Sequence, residues 1–123
     1  MKISLDTASA AYVIRAYGPG RITVNDQDLT EAFVVTPEQL IRDWPIASAA
    51  ELTSEHLQRL VDLDPEIILL GTGPTLRFPD PRLIAGLQQR GIGVEVMDTA
   101  AACRTYNILS AEDRRVVAAL LMI

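Results

Sequence analysis

Apolar and polar positions change their period along this chain, and each change marks an element. Between Pro65 and Gly71, the residues Ile67, Ile68, Leu69 and Leu70 run without a polar break, the pattern of a strand buried on both faces. Asp80 and Pro81 then supply an N-cap and a first-turn proline. Leu83, Ile84 and Leu87 fall on one helical stripe, and Gly91 stands where a left-handed C-cap belongs. Gly93 to Met97 returns to strand. Two strands joined by a helix of this length form a βαβ unit, which predicts a parallel pair with a right-handed crossover.

Upstream, the pattern predicts an antiparallel meander. Tyr12 to Tyr17 and Arg21 to Val24 flank Gly18-Pro19-Gly20 as a hairpin. Gln27 to Leu29 is a short strand or edge, Ala32 to Val35 is another, and Gln39 to Trp44 pairs back onto it before Pro45 ends the run. Ser48 to Glu51 reads as a linker, after which Thr53 caps a helix bearing Leu57, Leu60 and Val61. Beyond Met97, Asp98 caps a helix through about Tyr106, closed by Asn107 in the left-handed conformation. Ser110 to Asp113 opens a last helix with Val116, Val117, Leu120 and Leu121 as its buried stripe. Residues 1–10 carry little pattern and read as a flexible lead-in. The expected architecture is one α/β domain over residues 1–123. In it an N-terminal antiparallel β-meander joins a βαβ unit in a mixed central sheet with helices packed on it.

Composition narrows the class. With 123 residues, 49% hydrophobic and 22% charged, the chain suits a single domain with an adequate core. Its net charge of −5 is unevenly spread: ten acids from Asp26 to Glu66 face two arginines, whereas from Ile67 onward six arginines face five acids. A phosphate backbone needs a concentrated basic face, so nucleic acid is not an expected partner, while a local anion site in the second half stays open. Cys103 is the sole cysteine, which excludes an internal disulfide and favours a reducing compartment; the cytoplasm is expected. Met1 to Asp6 lacks the apolar run of a signal peptide. The longest apolar run, Val116 to Ile123, falls well short of the ~20 residues that span a bilayer.

The chemistry is sparse. Gly71-Thr72-Gly73 follows a strand as a dinucleotide fingerprint would, but Leu76 takes the third glycine position, Pro74 removes an amide, and the helix starts only near Pro81. Position still matters. In open α/β sheets the loops at the carboxyl ends of parallel strands line the usual crevice. Here those loops are Gly71 to Pro79 and Asp98 onward, so Thr72, Arg77, Asp98 and Arg104 are placed to meet. Cys103 reads as a buried thiol, and His56, the single histidine, sits on a different helix from it. The acids of Asp62 to Glu66 lack the glycine and the glutamate of a calcium loop, and no second His or Cys completes a transition-metal set. Trp44 reads as a core lid. Tyr106 either presents its hydroxyl at the crevice or packs beneath the last helix with that hydroxyl bonded to backbone; the second is favoured. No catalytic residue, cofactor or metal is expected.

Several strings together resemble a known family. They are Leu70-Gly71-Thr72-Gly73, Leu76-Arg77-Phe78-Pro79, Gly91 through Thr99, and Ala102-Cys103-Arg104-Thr105-Tyr106-Asn107-Ile108-Leu109. With the Gly18-to-Trp44 meander, their order and spacing resemble the small Mth-type domain of unknown function. That family includes a mitochondrial respiratory complex I assembly factor and an adipogenesis-associated Mth-domain protein. The resemblance implies a three-layer α/β fold with a mixed central sheet and assigns no catalytic residue. The leading expectation is a non-enzymatic interaction or assembly-factor-like domain that engages a protein partner through Arg77 and Arg104. The alternative is a binder of, or enzyme for, a small anionic ligand held by Gly71, Thr72, Gly73, Arg77, Asp98, Arg104 and Tyr106, with Cys103 nearby. A third reading makes the apolar Leu120-Leu121-Met122-Ile123 tail the interface of a homo-oligomer.

Overall fold

The computed structural model describes residues 10–123, so the expected lead-in, apart from Ala10, lies outside the described residues. A hairpin and its neighbour open the fold: β1 (Ile14–Gly18), β2 (Arg21–Val24) and β3 (Gln27–Leu29) form an antiparallel sheet in that order. Next come β4 (Phe33–Val35) and β5 (Leu40–Ile41), paired antiparallel as the sequence predicts. The expected linker contains a single 3-10 turn at Ala49–Glu51, started by Ser48 Oγ accepting from the Ala50 amide. The helices are α1 (Ser54–Val61), α2 (Pro81–Gln89) and α3 (Thr99–Ala111); the remaining strands are β6 (Ile67–Gly71), β7 (Gly93–Met97) and β8 (Val116–Leu120).

Local chemistry explains most of these boundaries. Thr53 and His56 form a reciprocal cap on α1: Thr53 Oγ1 accepts from the His56 amide at 3.2 Å, and His56 Nδ1 accepts from the Thr53 amide at 3.1 Å. Asp80 caps α2 with Pro81 in its first turn, and Gly91 leaves it at φ +80, both as expected. β6 and β7 run parallel, Ile67 opposite Gly93 and Gly71 opposite Met97. The βαβ core is therefore as read from the sequence.

The end of the chain is different. Val116 to Leu120 is a strand where a last helix was expected, and it lies at the centre of the sheet, whose order is β5-β4-β8-β6-β7. It pairs parallel with β6 and antiparallel with β4. A central strand is apolar on both faces, so its run of Val116, Val117, Ala118, Ala119 and Leu120 fits a helical stripe equally well. The β-branched pair and the turn at Asp113, held at φ +61, settle it as a strand. Nor does α3 stop at Asn107. The side chain of Asn107 donates to the Ile14 carbonyl at 2.7 Å and accepts from its amide at 3.0 Å, so it secures β1 instead of ending the helix. The tail cast as an oligomer interface is also spent internally: Leu120 and Leu121 are buried, and the Ile123 carbonyl accepts from the Gly20 amide.

Period-two alternation sends the sheet's side chains to two cores. Leu69, Val116, Ala118 and Leu120 meet α3 and the three-stranded sheet; Ile68, Leu70, Val117 and Ala119 meet α1 and α2. This three-layer arrangement places the carboxyl ends of β6 and β7 beside the start of α3. Among the described residues no helix is long and apolar enough to cross a membrane.

Candidate functional site

The loop after β6 and the first turn of α3 meet through hydrogen bonds that hold the loop shut. Thr99 Oγ1 is buried; it accepts from the Gly73 amide at 2.8 Å and donates to the Leu121 carbonyl at 2.7 Å, while the Thr99 amide donates back to the Gly73 carbonyl. Gly73 takes φ +98 to make this exchange, and Gly71 lies directly beneath α3. Thr72 Oγ1 donates to the Thr75 carbonyl at 2.8 Å and accepts from the Arg77 amide at 3.0 Å, closing the loop on itself. Asp98 caps α3 by accepting from the Ala101 amide at 2.8 Å. The helix N-terminus thus carries a carboxylate of its own, where an anionic ligand would otherwise be favoured. Gly71, Thr72, Gly73 and Asp98 do come together, as a packed joint between strand and helix.

The remaining expected residues disperse. Arg77 is exposed and its guanidinium has no partner among the described residues. Arg104 Nη1 donates to Tyr17 Oη at 2.7 Å; that hydroxyl, with Asp98 adding to it, holds the guanidinium above its ordinary pKa. Cys103 is fully buried in the core, and burial pushes its thiol up to about 12. Tyr106 is fully buried as well, with its hydroxyl donating to the Tyr12 carbonyl at 2.8 Å, which is the favoured sequence reading without the last helix. Burial raises its pKa too.

Three features escaped the sequence reading. Leu76 and Phe78, on either side of Arg77, are 50% and 71% exposed. Two large apolar residues bracketing an arginine between Pro74 and Pro79 were a legible signal, since no helical or strand period buries them. Trp44 is buried as expected, yet its Nε1 finds no acceptor among the described residues. It lines a pocket of about 20 Å³ with Leu52, Leu70, Thr72 and Pro79, under the same loop. A wider cleft of about 400 Å³ opens elsewhere, around Leu63, Ser110 and Arg114-Arg115. Its arginines are already paired with Glu66 and Asp64.

Comparison with known proteins adds context to this geometry. Residues 14–121 match the family described as a protein of unknown function (DUF498/DUF598). The Danio rerio protein named NADH dehydrogenase (ubiquinone) 1 alpha subcomplex assembly factor 3 is 35% identical over 116 residues, covering 93% of this chain and 66% of that relative. The chain thus spans just under two thirds of that relative's length. A crystal structure of a Bordetella parapertussis protein superposes with a TM-score of 0.85 at 44% identity, over 93% of this chain and 98% of that one. A Mth938-like domain from Bordetella pertussis, solved by solution NMR, gives a TM-score of 0.80 at 37% identity, over 98% of this chain and 92% of that one.

Proposed function

This chain belongs to the DUF498/DUF598 family of proteins of unknown function, and from that premise we propose that it is a non-enzymatic docking domain of the assembly-factor kind. It holds a protein partner on the loop between β6 and α2. The observation that carries this reading is the display of Leu76, Arg77 and Phe78. Exposed apolar area is costly in water, and interface centres are enriched in aromatic residues and arginine. A partner that covers Leu76 and Phe78 and offers an acid to Arg77 removes that cost. The relative named as an assembly factor supports a protein as the ligand. Arg104, exposed beside Tyr17, is a second contact for the same partner. Catalysis is the weaker reading, because the Thr72 hydroxyl is committed to its loop and the Cys103 thiol is buried and protonated. With that thiol kept reduced, the cytoplasm is the compartment this reading takes.

The test is quantitative affinity purification of the tagged chain from cells, wild type against a Leu76→Ser/Phe78→Ser double variant. The expected result is at least a tenfold loss of the specifically enriched partner with the melting temperature unchanged, because truncating a few central side chains typically removes ~2 kcal/mol or more. Undiminished capture by the double variant sinks the proposal.

A further inference from the structure

Among the described residues, the sheet edges are blunted in every case but one. β5, at one end of the five-stranded sheet, is two residues long. In the three-stranded sheet β3 has three residues, and the amide and carbonyl of Ile14 in β1 are both taken by the Asn107 side chain, beside a break in register. β7 is the exception: it has five residues and pairs on one side only, with β6. Two bonds fix which of its backbone groups are spent. The Gly93 amide donates to the Glu66 carbonyl at 3.0 Å, and the Met97 carbonyl accepts from the Thr72 amide at 2.9 Å. Alternate residues of a parallel strand bond the neighbour, so Gly93, Glu95 and Met97 direct their N–H and C=O groups to β6. Those of Val94 and Val96 point the other way, and no loop or turn among the described residues bonds them.

A free edge of this length is a template for a further strand, and its charge decides which strand fits. Glu95, at the centre of β7, is exposed and takes part in none of the ion pairs among the described residues. Antiparallel addition, the more stable pairing, would bond the free groups of Val94 and Val96. It would put Glu95 at a non-hydrogen-bonded position, where facing side chains stand closest. A second copy of the chain in full register would set two Glu95 carboxylates against each other, which disfavours self-pairing. A strand with a lysine or arginine at that position meets the opposite charge. We propose that the edge of β7 takes an extended segment of the partner, antiparallel, with a basic residue opposite Glu95. The inference rests on the docking reading and deepens it. The bond from Thr72 to Met97 places the carboxyl end of β7 at the root of the loop that carries Leu76, Arg77 and Phe78, so one partner covers both.

The probe is the peptide acetyl-Thr-Val-Lys-Val-Thr-amide, with a control in which glutamate replaces the lysine, read in 1H–15N spectra of the chain. The expected result is a saturable downfield shift of the Val94 and Val96 amide protons, which gain acceptors, while the Gly93 and Glu95 amides, already turned to β6, move much less. The lysine peptide is expected to bind about fivefold more tightly than the glutamate peptide, and Glu95→Lys to reverse that preference. No saturable shift at Val94 and Val96, or equal binding of the two peptides, overturns the proposal. In the capture assay Glu95→Lys, an exposed change, is expected to hold about fivefold less partner at an unchanged melting temperature. If Glu95→Lys captures normally while the Leu76→Ser/Phe78→Ser variant does not, the edge assignment fails and the docking loop stands.

Discussion

A Cβ on Gly71 would stand 2.9 Å from Leu120 Cδ2, 3.0 Å from Thr99 Oγ1 and 3.2 Å from Ala102 Cβ, so only glycine lets α3 lie this close to β6. Gly71→Ala is therefore expected to cost about 1–3 kcal/mol, as overpacking of a tight core does. A urea midpoint equal to wild type contradicts this. Thr99→Val keeps the shape but leaves the Gly73 amide and the Leu121 carbonyl without their partner, a loss of ~2 kcal/mol or more in the same experiment. Cys103 governs a pH response. Burial raises its thiol from 9.0 to about 12, so in alkali the unfolded chain gives up that proton before the folded one does. Its stabilising contribution is complete below about pH 9 and declines as pH rises toward 12; Tyr106, also raised by burial, acts in the same direction. Denaturant midpoints across that range should fall less steeply for Cys103→Ala than for wild type. Parallel declines would show that the thiol is not the titrating group.

Among the elements, β8 decides the fold, and it is also the one the sequence disguised. The βαβ unit was readable because each boundary has its own marker: Asp80 and Pro81 at the start of α2, Gly91 at its end, and apolar runs of strand length on either side. The β4–β5 pairing was readable from turn residues and short apolar runs. No such marker separates helix from central strand at Val116 to Leu120, since burial on both faces erases the alternation that identifies a strand. The candidate site shows the same division. That Gly71, Thr72, Gly73 and Asp98 converge follows from βαβ geometry and was legible. That Thr72 and Asp98 would spend their oxygens on neighbouring amides depends on tertiary distances no spacing rule supplies. As the central strand, β8 cannot be dispensable. Removing residues 116–123 is expected to abolish the cooperative thermal transition; a truncated chain that still melts cooperatively would mean the segment merely packs on a finished sheet.

At the scale of the molecule, the expected α/β architecture with a mixed central sheet is the one found, and its Mth-type resemblance agrees with the Mth938-like domain from Bordetella pertussis. The three layers present the β6–α2 loop at one end of the sheet, with the Thr72 hydroxyl bonded within it and Leu76, Arg77 and Phe78 exposed. Whether a protein docks on this loop is decided by photo-crosslinking in cells, with p-benzoylphenylalanine replacing Phe78 in one chain and the exposed Arg42 in another. One discrete adduct is expected from position 78, weakened at least tenfold by Arg77→Glu and missing from position 42. No adduct at position 78, or the same adduct from both positions, would contradict it.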